Sequence, residues 1–168
     1  TISWRTLRNS GNGTIGSEME RKRWRVFLDT SALIAGVVSP TGAAREVLRL
    51  AEARVIELVV SRQDLVEAER NLASKLPLVL DDYHLLLRRL EPVVVEDPPR
   101  AAAQEAARVI HRNDAPILAA ARIAAVDYLV TWNTRDFLTD RVRDWASFPA
   151  LTPGEFLRAF RDVLGKEG

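Results

Sequence analysis

The sequence predicts an α/β fold: a three-layer α/β/α sandwich around a central, mostly parallel sheet of four to five short strands. Apolar runs of strand length recur between stretches of helical period. The runs are nearly continuous rather than alternating, as strands covered on both faces must be. Helix-starting signals, Ser61 with Asp64 and Thr152 with Glu155, stand at the head of two of the helical stretches.

Residues 1–18 are rich in Gly, Ser and Thr without a sustained period, and the only methionine, Met19, follows them. They read as a leader, foreign or mis-started, ahead of a single domain over residues 19–168. Gly11-Asn12-Gly13-Thr14-Ile15-Gly16 matches the dinucleotide fingerprint in its letters alone, because no strand precedes it and no convincing helix follows. Asn12-Gly13-Thr14 is also a glycosylation sequon, which matters only in a secreted chain, and nothing suggests secretion.

The first apolar run, Trp24–Leu28, ends in Asp29-Thr30-Ser31 and is followed by helical stretches over Ala32–Val38 and Gly42–Ala53. Ile56–Val60 is the second, followed by the capped helix to Ser74 and a leucine-rich helix over Leu80–Leu90. After Pro92, Val93–Val95 forms a third strand, stopped by Pro98-Pro99 before an alanine-rich helix over Arg100–His111. Asn113-Asp114-Ala115-Pro116 restarts a helix that continues to Ala125, Tyr128–Thr131 is the fourth strand, and a last helix covers Phe156–Leu164.

A length of 168 residues with 47% hydrophobic content suits one domain with its own core. The absence of cysteine excludes disulfides and thiolate metal sites. Any metal must therefore be held by carboxylate, amide, imidazole or water, which favours a hard cation, magnesium or manganese. No apolar run approaches the roughly 20 residues of a membrane span and no signal-peptide pattern occurs, so a cytoplasmic protein without a membrane partner is expected. The net charge of +1 gives no overall attraction to a polyanion, so RNA binding would need a local basic rim. Arg21, Lys22, Arg23, Arg25, Arg135, Arg141 and Arg143 are the candidates for it.

In an open parallel sheet the working cleft lies beyond the carboxyl ends of the strands, where Asp29 and the Thr131-Trp132-Asn133 segment are placed. Asp29 is equally a good N-cap for the helix that follows. Asp114 stands one turn above an apolar stripe of Leu118, Ala121 and Ala125, and is also a plausible cap with proline behind it. Around the helix after the second strand, with its stripe of Leu65, Ala68 and Leu72, a turn of about 100° per residue brings Glu69 nearer the stripe than Glu67, so periodicity does not select Glu67. Thr131 to Asp136 offers a hydroxyl, an amide, a guanidinium and a carboxylate, the composition of a site or of a polar turn. Trp132 reads as a packing residue rather than a base-stacking one, and His84 and His111 have no metal-ligand spacing.

Four blocks in order resemble a PIN domain: Leu28-Asp29-Thr30-Ser31-Ala32-Leu33, Ser61–Leu72 with a central Glu67, Asp114–Ala121, and Asp127–Asn133. The resemblance spans Val26 to Phe160, includes the Thr152-Pro153 ending, and is nearest to the ribonuclease toxins of type II toxin-antitoxin pairs. It implies an acidic site for Mg2+ (or Mn2+), cleavage of RNA, a cognate antitoxin and a homodimer. Block matching puts the family's acids on Asp29, Glu67 and Asp114 and its fourth position on Asn133, where many relatives carry Asp. Asp136 or water is left to supply that charge, and the number of metals stays open. Thr30, Ser31 and Thr131 are the supporting polar residues, and Arg25, Arg135, Arg141 and Arg143 the RNA-binding ones. The expected chemistry is hydrolysis: carboxylates 4 Å apart repel by about 1 kcal/mol in water and about 4 at an effective dielectric of 20, which a cation relieves. That cation also orients water and neutralises phosphate charge. A PIN fold that binds without cutting is the competing reading, favoured by Asn133. An aspartyl phosphatase is disfavoured, since the second Asp it needs two residues after Asp29 is Ser31.

Overall fold

The structure is a computed structural model that describes residues 23–166, so the leader, its glycine-rich hexamer, Met19, Arg21 and Lys22 lie outside the described residues. Five strands, β1 (Arg25–Leu28), β2 (Glu57–Ser61), β3 (Val93–Val95), β4 (Tyr128–Val130) and β5 (Ala150–Leu151), form one parallel sheet in the order β3-β2-β1-β4-β5. Chain order reverses at β1, which has β2 on one side and β4 on the other, with Leu28 opposite Val130. A cleft opens at such a reversal because the connections on either side leave in opposite directions.

The strands are apolar throughout because each face meets helices. Val26, Leu28, Leu58, Val60 and Val130 point into a core shared with α1 (Thr30–Val38), α2 (Ala43–Glu52), α3 (Arg62–Lys75), α4 (Leu80–Leu90) and α9 (Pro153–Lys166). Phe27, Val59 and Leu129 point the other way, onto α5 (Arg100–Ala106), α6 (Ala115–Ile123), α7 (Thr134–Phe137) and α8 (Asp140–Trp145). Period-two alternation thus fills two cores, each fully buried large side chain contributing about 1.5–3 kcal/mol. Helices α1 and α2 touch closely at Gly36, where an added Cβ would stand 2.6 Å from Leu48 Cδ1.

Both capping boxes form: Ser61 and Asp64 at α3, and Thr152 and Glu155 at α9. The alanine-rich helix ends at Ala106 rather than His111, because Arg108 N–H and Val109 N–H bond three residues back and tighten the chain into a turn. That turn buries Ile110 and sets His111 O to receive Asp114 N–H and Ala115 N–H at the start of α6. Helix α6 stops at Ile123, short of the expected Ala125, which is left-handed (φ 51). Ala125 N–H bonds Arg122 O and Val126 N–H bonds Ala121 O, the pairing that terminates a helix without glycine here. The two-residue β5 and the short α7 and α8 had no periodic signal long enough to be expected. No described helix is long and apolar enough to cross a membrane.

Candidate active site

Strand β1 delivers Asp29. Its three preceding residues are buried in the sheet, and Asp29, 4% exposed, is the first residue beyond, so its carboxylate emerges at the sheet's carboxyl edge. It caps α1 as well as lining the cleft: Oδ1 accepts Ala32 N–H (3.0 Å) and the Ser31 hydroxyl (2.7 Å), and Oδ2 accepts the Thr131 hydroxyl (2.5 Å). Burial pushes this carboxyl above its ordinary 3.8; the bonds from Thr131, Ala32 and Ser31 pull it back, and the nearby Glu67 charge raises it again. Ser31 and Thr131 are themselves held, Ser31 Oγ by Trp132 N–H (2.9 Å) and Thr131 Oγ1 by Asn133 N–H (2.8 Å). One hydroxyl network therefore ties the ends of β1 and β4 together around Asp29.

Helix α3 supplies two acids, one of which sequence reasoning passed over as only a capping residue. Asp64 is fully buried, and its carboxylate accepts Thr30 N–H (2.9 Å) and the Thr30 hydroxyl (2.8 Å) on one oxygen, Ser61 N–H (3.3 Å) and the Ser61 hydroxyl on the other. Burial pushes its carboxyl up to about 7 against the Ser61 bond, with Asp29 adding to the rise. The buried stripe of α3 is thus Asp64, Ala68 and Leu72, and not the expected Leu65, Ala68 and Leu72. With Asp64 leading the buried stripe, Glu67 turns into the cleft, while Glu69 is exposed and faces His84 of α4. A buried acid at the third position of a capping box was the available signal.

Across the cleft, Asp114 sits at the N-cap of α6 but makes no capping bond with its side chain. It is half-buried; desolvation raises its carboxyl first and Asp136 next, His111 opposes, and Asp29 and Glu67 raise it further. Asp29, Thr30, Ser31, Glu67, Asp114 and Asn133 line one cleft of about 360 Å³, with Lys75 and the apolar Ile34, Leu72, Leu76 and Ile117 around it. Asn133, not Asp136, reaches this wall; Asp136 lines an adjoining hollow of about 250 Å³ with Arg108, His111, Arg135, Thr139 and Arg141.

Two of the expected basic contacts are elsewhere. Arg25 stands at the opposite end of β1 from the cleft, paired with Glu57 and donating to Ala124 O, because the strand pairing sets it beside Glu57. Arg143 pairs with Asp140 and Asp144 on α8. Arg135 and Arg141 do share a hollow, joined by Arg108, which lies in the turn that replaced the end of the expected helix. Trp132, expected to pack, is 48% exposed, its backbone being held by Ser31 so that the ring projects from the edge.

The donor set suits a hard divalent cation: apart from Lys75, every polar side chain lining the cleft offers oxygen, and among the described residues none of Asp29, Glu67 or Asp114 forms an ion pair. Among those residues no three carboxylates or imidazoles are gathered closely enough to make a ready-closed metal cluster. Unneutralised acids repel one another, so acids that line one cleft without a counter-charge gain from a positive charge placed between them.

Fold and site define a class: parallel-sheet α/β/α proteins with an acidic cleft at the chain reversal. A family model of the PIN domain matches residues 25–135, and the chain belongs to the PIN-domain family. It is similar to the crystal structure of PAE2754 from Pyrobaculum aerophilum, with 21% identity over 80% of this chain and 94% of that one, at a TM-score of 0.51. VapBC2 from Rickettsia felis, bound to a DNA fragment from their promoter, is similar at 16% identity over 76% of this chain and 96% of that one, with a TM-score of 0.57. FitAcB from Neisseria gonorrhoeae is similar at 18% identity over 76% and 97%, with a TM-score of 0.53. At these identities the likeness is one of fold. No curated protein sequence matches the chain.

Proposed function

We propose that this chain is a divalent-metal-dependent endoribonuclease that hydrolyses RNA phosphodiesters, and that it is the toxin of a toxin-antitoxin pair. The observation that carries the nuclease reading is the convergence of Asp29, Glu67 and Asp114, with no cationic side chain paired to them among the described residues, on one cleft at the carboxyl ends of β1 and β4. Asp29, Glu67 and Asp114, with the Asn133 amide, would hold Mg2+ or Mn2+. A bound ion supplies an oriented water and neutralises charge on the phosphate.

The chain's own groups do the rest. Ser31 and Thr131 fix the Asp29 carboxylate so that little reorganisation is left for the reaction. Arg108, Arg135 and Arg141 lie on one side of the acids and Lys75 on the other, a spacing that suits a chain of phosphates crossing the cleft. The projecting Trp132 offers a stacking face for an unpaired base. The toxin reading is supported by fold likeness to VapBC2 and FitAcB. An antitoxin partner, a homodimer and a cytoplasmic location belong to that same reading. A second reading, a PIN-fold binding module, is favoured by Asn133 at the fourth acidic position.

Incubation of end-labelled RNAs with Mg2+, Mn2+ or EDTA tests the proposal. Metal-dependent cutting to 5′-phosphate and 3′-hydroxyl ends, lost in Asp29→Asn and Asp114→Asn, is the expected result. Cyclic phosphate ends would contradict water attack, and no cutting by folded, metal-loaded, antitoxin-free protein would favour the binding module.

A further inference from the structure

The Thr30 hydroxyl stands between two carboxylates, 2.8 Å from Asp64 Oδ1 and 3.0 Å from Glu67 Oε2. It has one hydrogen and can donate to only one of them at a time. The two acceptors differ in what they face. Glu67 lines the cleft, with its other oxygen accepting the Gln63 amide at 3.0 Å. Asp64 is fully buried behind it and is anchored by Thr30 N–H, Ser61 N–H and the Ser61 hydroxyl, whichever way the Thr30 hydroxyl turns.

When the hydroxyl donates to Glu67, that oxygen carries a hydrogen bond that an incoming cation must displace. Once the hydroxyl turns to Asp64, a lone pair of Thr30 Oγ1 faces Glu67 Oε2, and two such oxygens at 3.0 Å are stable only with positive charge beside them. Resting on the nuclease reading, in which Glu67 is a metal ligand, we infer that Asp64 is a positioning residue that takes the Thr30 hydroxyl hydrogen when a divalent cation binds, leaving Glu67 Oε2 bare toward the cleft. Only a hydroxyl rotation is involved; no proton changes owner. An acid that merely capped α3 would have no need of a second bond to the side chain of Thr30, since the Ser61 contacts and Thr30 N–H already join the two helix starts.

A double-mutant cycle tests this with Mn2+ alone as the probe, read by titration calorimetry, beside the metal-free melting temperature of each full-length variant. Asp64→Asn keeps an acceptor for Thr30 N–H but is a weaker acceptor than the Glu67 carboxylate, so the hydroxyl should stay on Glu67. Mn2+ affinity then falls about tenfold, as loss of a supporting partner does. In Thr30→Val, which has no hydroxyl to misdirect, adding Asp64→Asn should change Mn2+ affinity by less than about twofold. In Thr30→Ser the full tenfold effect should return.

A purely structural Asp64 would lower the melting temperature in every background while leaving Mn2+ affinity unchanged, or lower it equally with and without the hydroxyl; either result overturns the inference. Should Asp64→Asn fail to fold, Thr30→Val alone decides. Affinity no weaker than wild type to within about twofold supports the inference, and a tenfold loss, the mark of an obligatory donor to Glu67, overturns it. Glu67→Gln separates the two readings: unchanged Mn2+ binding, or none by the wild type, defeats the metal site itself and the inference with it. Weakened binding in Glu67→Gln without hydroxyl-dependent coupling to Asp64 defeats the inference alone.

Discussion

On the wall built by β1 and α3, every carboxylate oxygen of Asp29, Asp64 and Glu67 accepts a hydrogen bond. On the facing wall, Asp114 and Asn133 are partly exposed, and among the described residues their side chains accept none. The difference follows from where each acid enters the chain. Asp29 and Asp64 sit at helix starts inside the sandwich, where unpaired N–H groups and nearby hydroxyls are plentiful and water is not. Asp114 starts a helix at the rim, where solvent does the same work. One wall is preorganised and the other adjustable, so a cation arriving in the cleft would find a fixed set of ligands and then draw the second set inward.

The same substitution on the two walls should therefore separate catalysis from stability. Asp29→Asn and Asp114→Asn should each reduce RNA cleavage by more than about a hundredfold, the loss expected of a metal-holding group. In metal-free protein Asp29→Asn should cost roughly 1–3 kcal/mol of unfolding free energy, because an amide gives one acceptor oxygen where donors converge on two. Asp114→Asn should change stability by no more than about 0.5 kcal/mol by denaturant titration, having no bonds to lose. Equal destabilisation by the two would erase the contrast between the walls.

Gly36→Ala provides a third point, because it strains the α1–α2 contact at Leu48 without touching either wall. A loss of about 1–3 kcal/mol with Mn2+ affinity unchanged is expected; weakened Mn2+ binding would mean that packing behind α1, not only its hydroxyls, holds the buried wall.

Acidity sharpens the comparison further. A carboxyl raised in the folded state contributes stability that is complete below its ordinary pKa and is lost as pH rises through the folded one. For Asp64 the window runs from 3.8 to about 7, and Asp29 shifts in the same direction. The melting temperature of metal-free protein should accordingly carry a component that falls from pH 4 to 7, and Mn2+ should stabilise the protein more at the upper end, where it no longer competes with protons. A flat profile in both conditions would show that the buried wall is not strained by its charge. The smallest expected effect on metal binding or cleavage is Asn133→Asp: one more carboxylate on the adjustable wall should tighten Mn2+ binding by about tenfold.

Much of this was legible in the sequence. Continuous apolar strands and period-3.6 stretches located β1 to β4 and the main helices, and the order of the blocks brought Asp29, Glu67 and Asp114 forward. Elements of two to six residues, β5, α7 and α8, offered too few positions for any period to register. Asp64 was visible only as a cap because an acid on a buried stripe looks like a break in the stripe. Arg25 was misplaced by adjacency in sequence, since β1 sets it at the end of the strand away from Asp29, and Arg143 is taken up by Asp140 and Asp144 of its own helix. Arg108 was hidden inside an apparent helix whose last turn unwinds.

The sheet's borders carry one further consequence. One edge is β3, three valines fenced by Pro92 before and Pro98-Pro99 after, and the other is the two-residue β5. Proline has no N–H to lend to a ladder, and a two-residue rung gives an incoming strand almost nothing to zip against. Among the described residues, then, neither border offers a long template for strand addition, which guards the sheet against edge-to-edge aggregation.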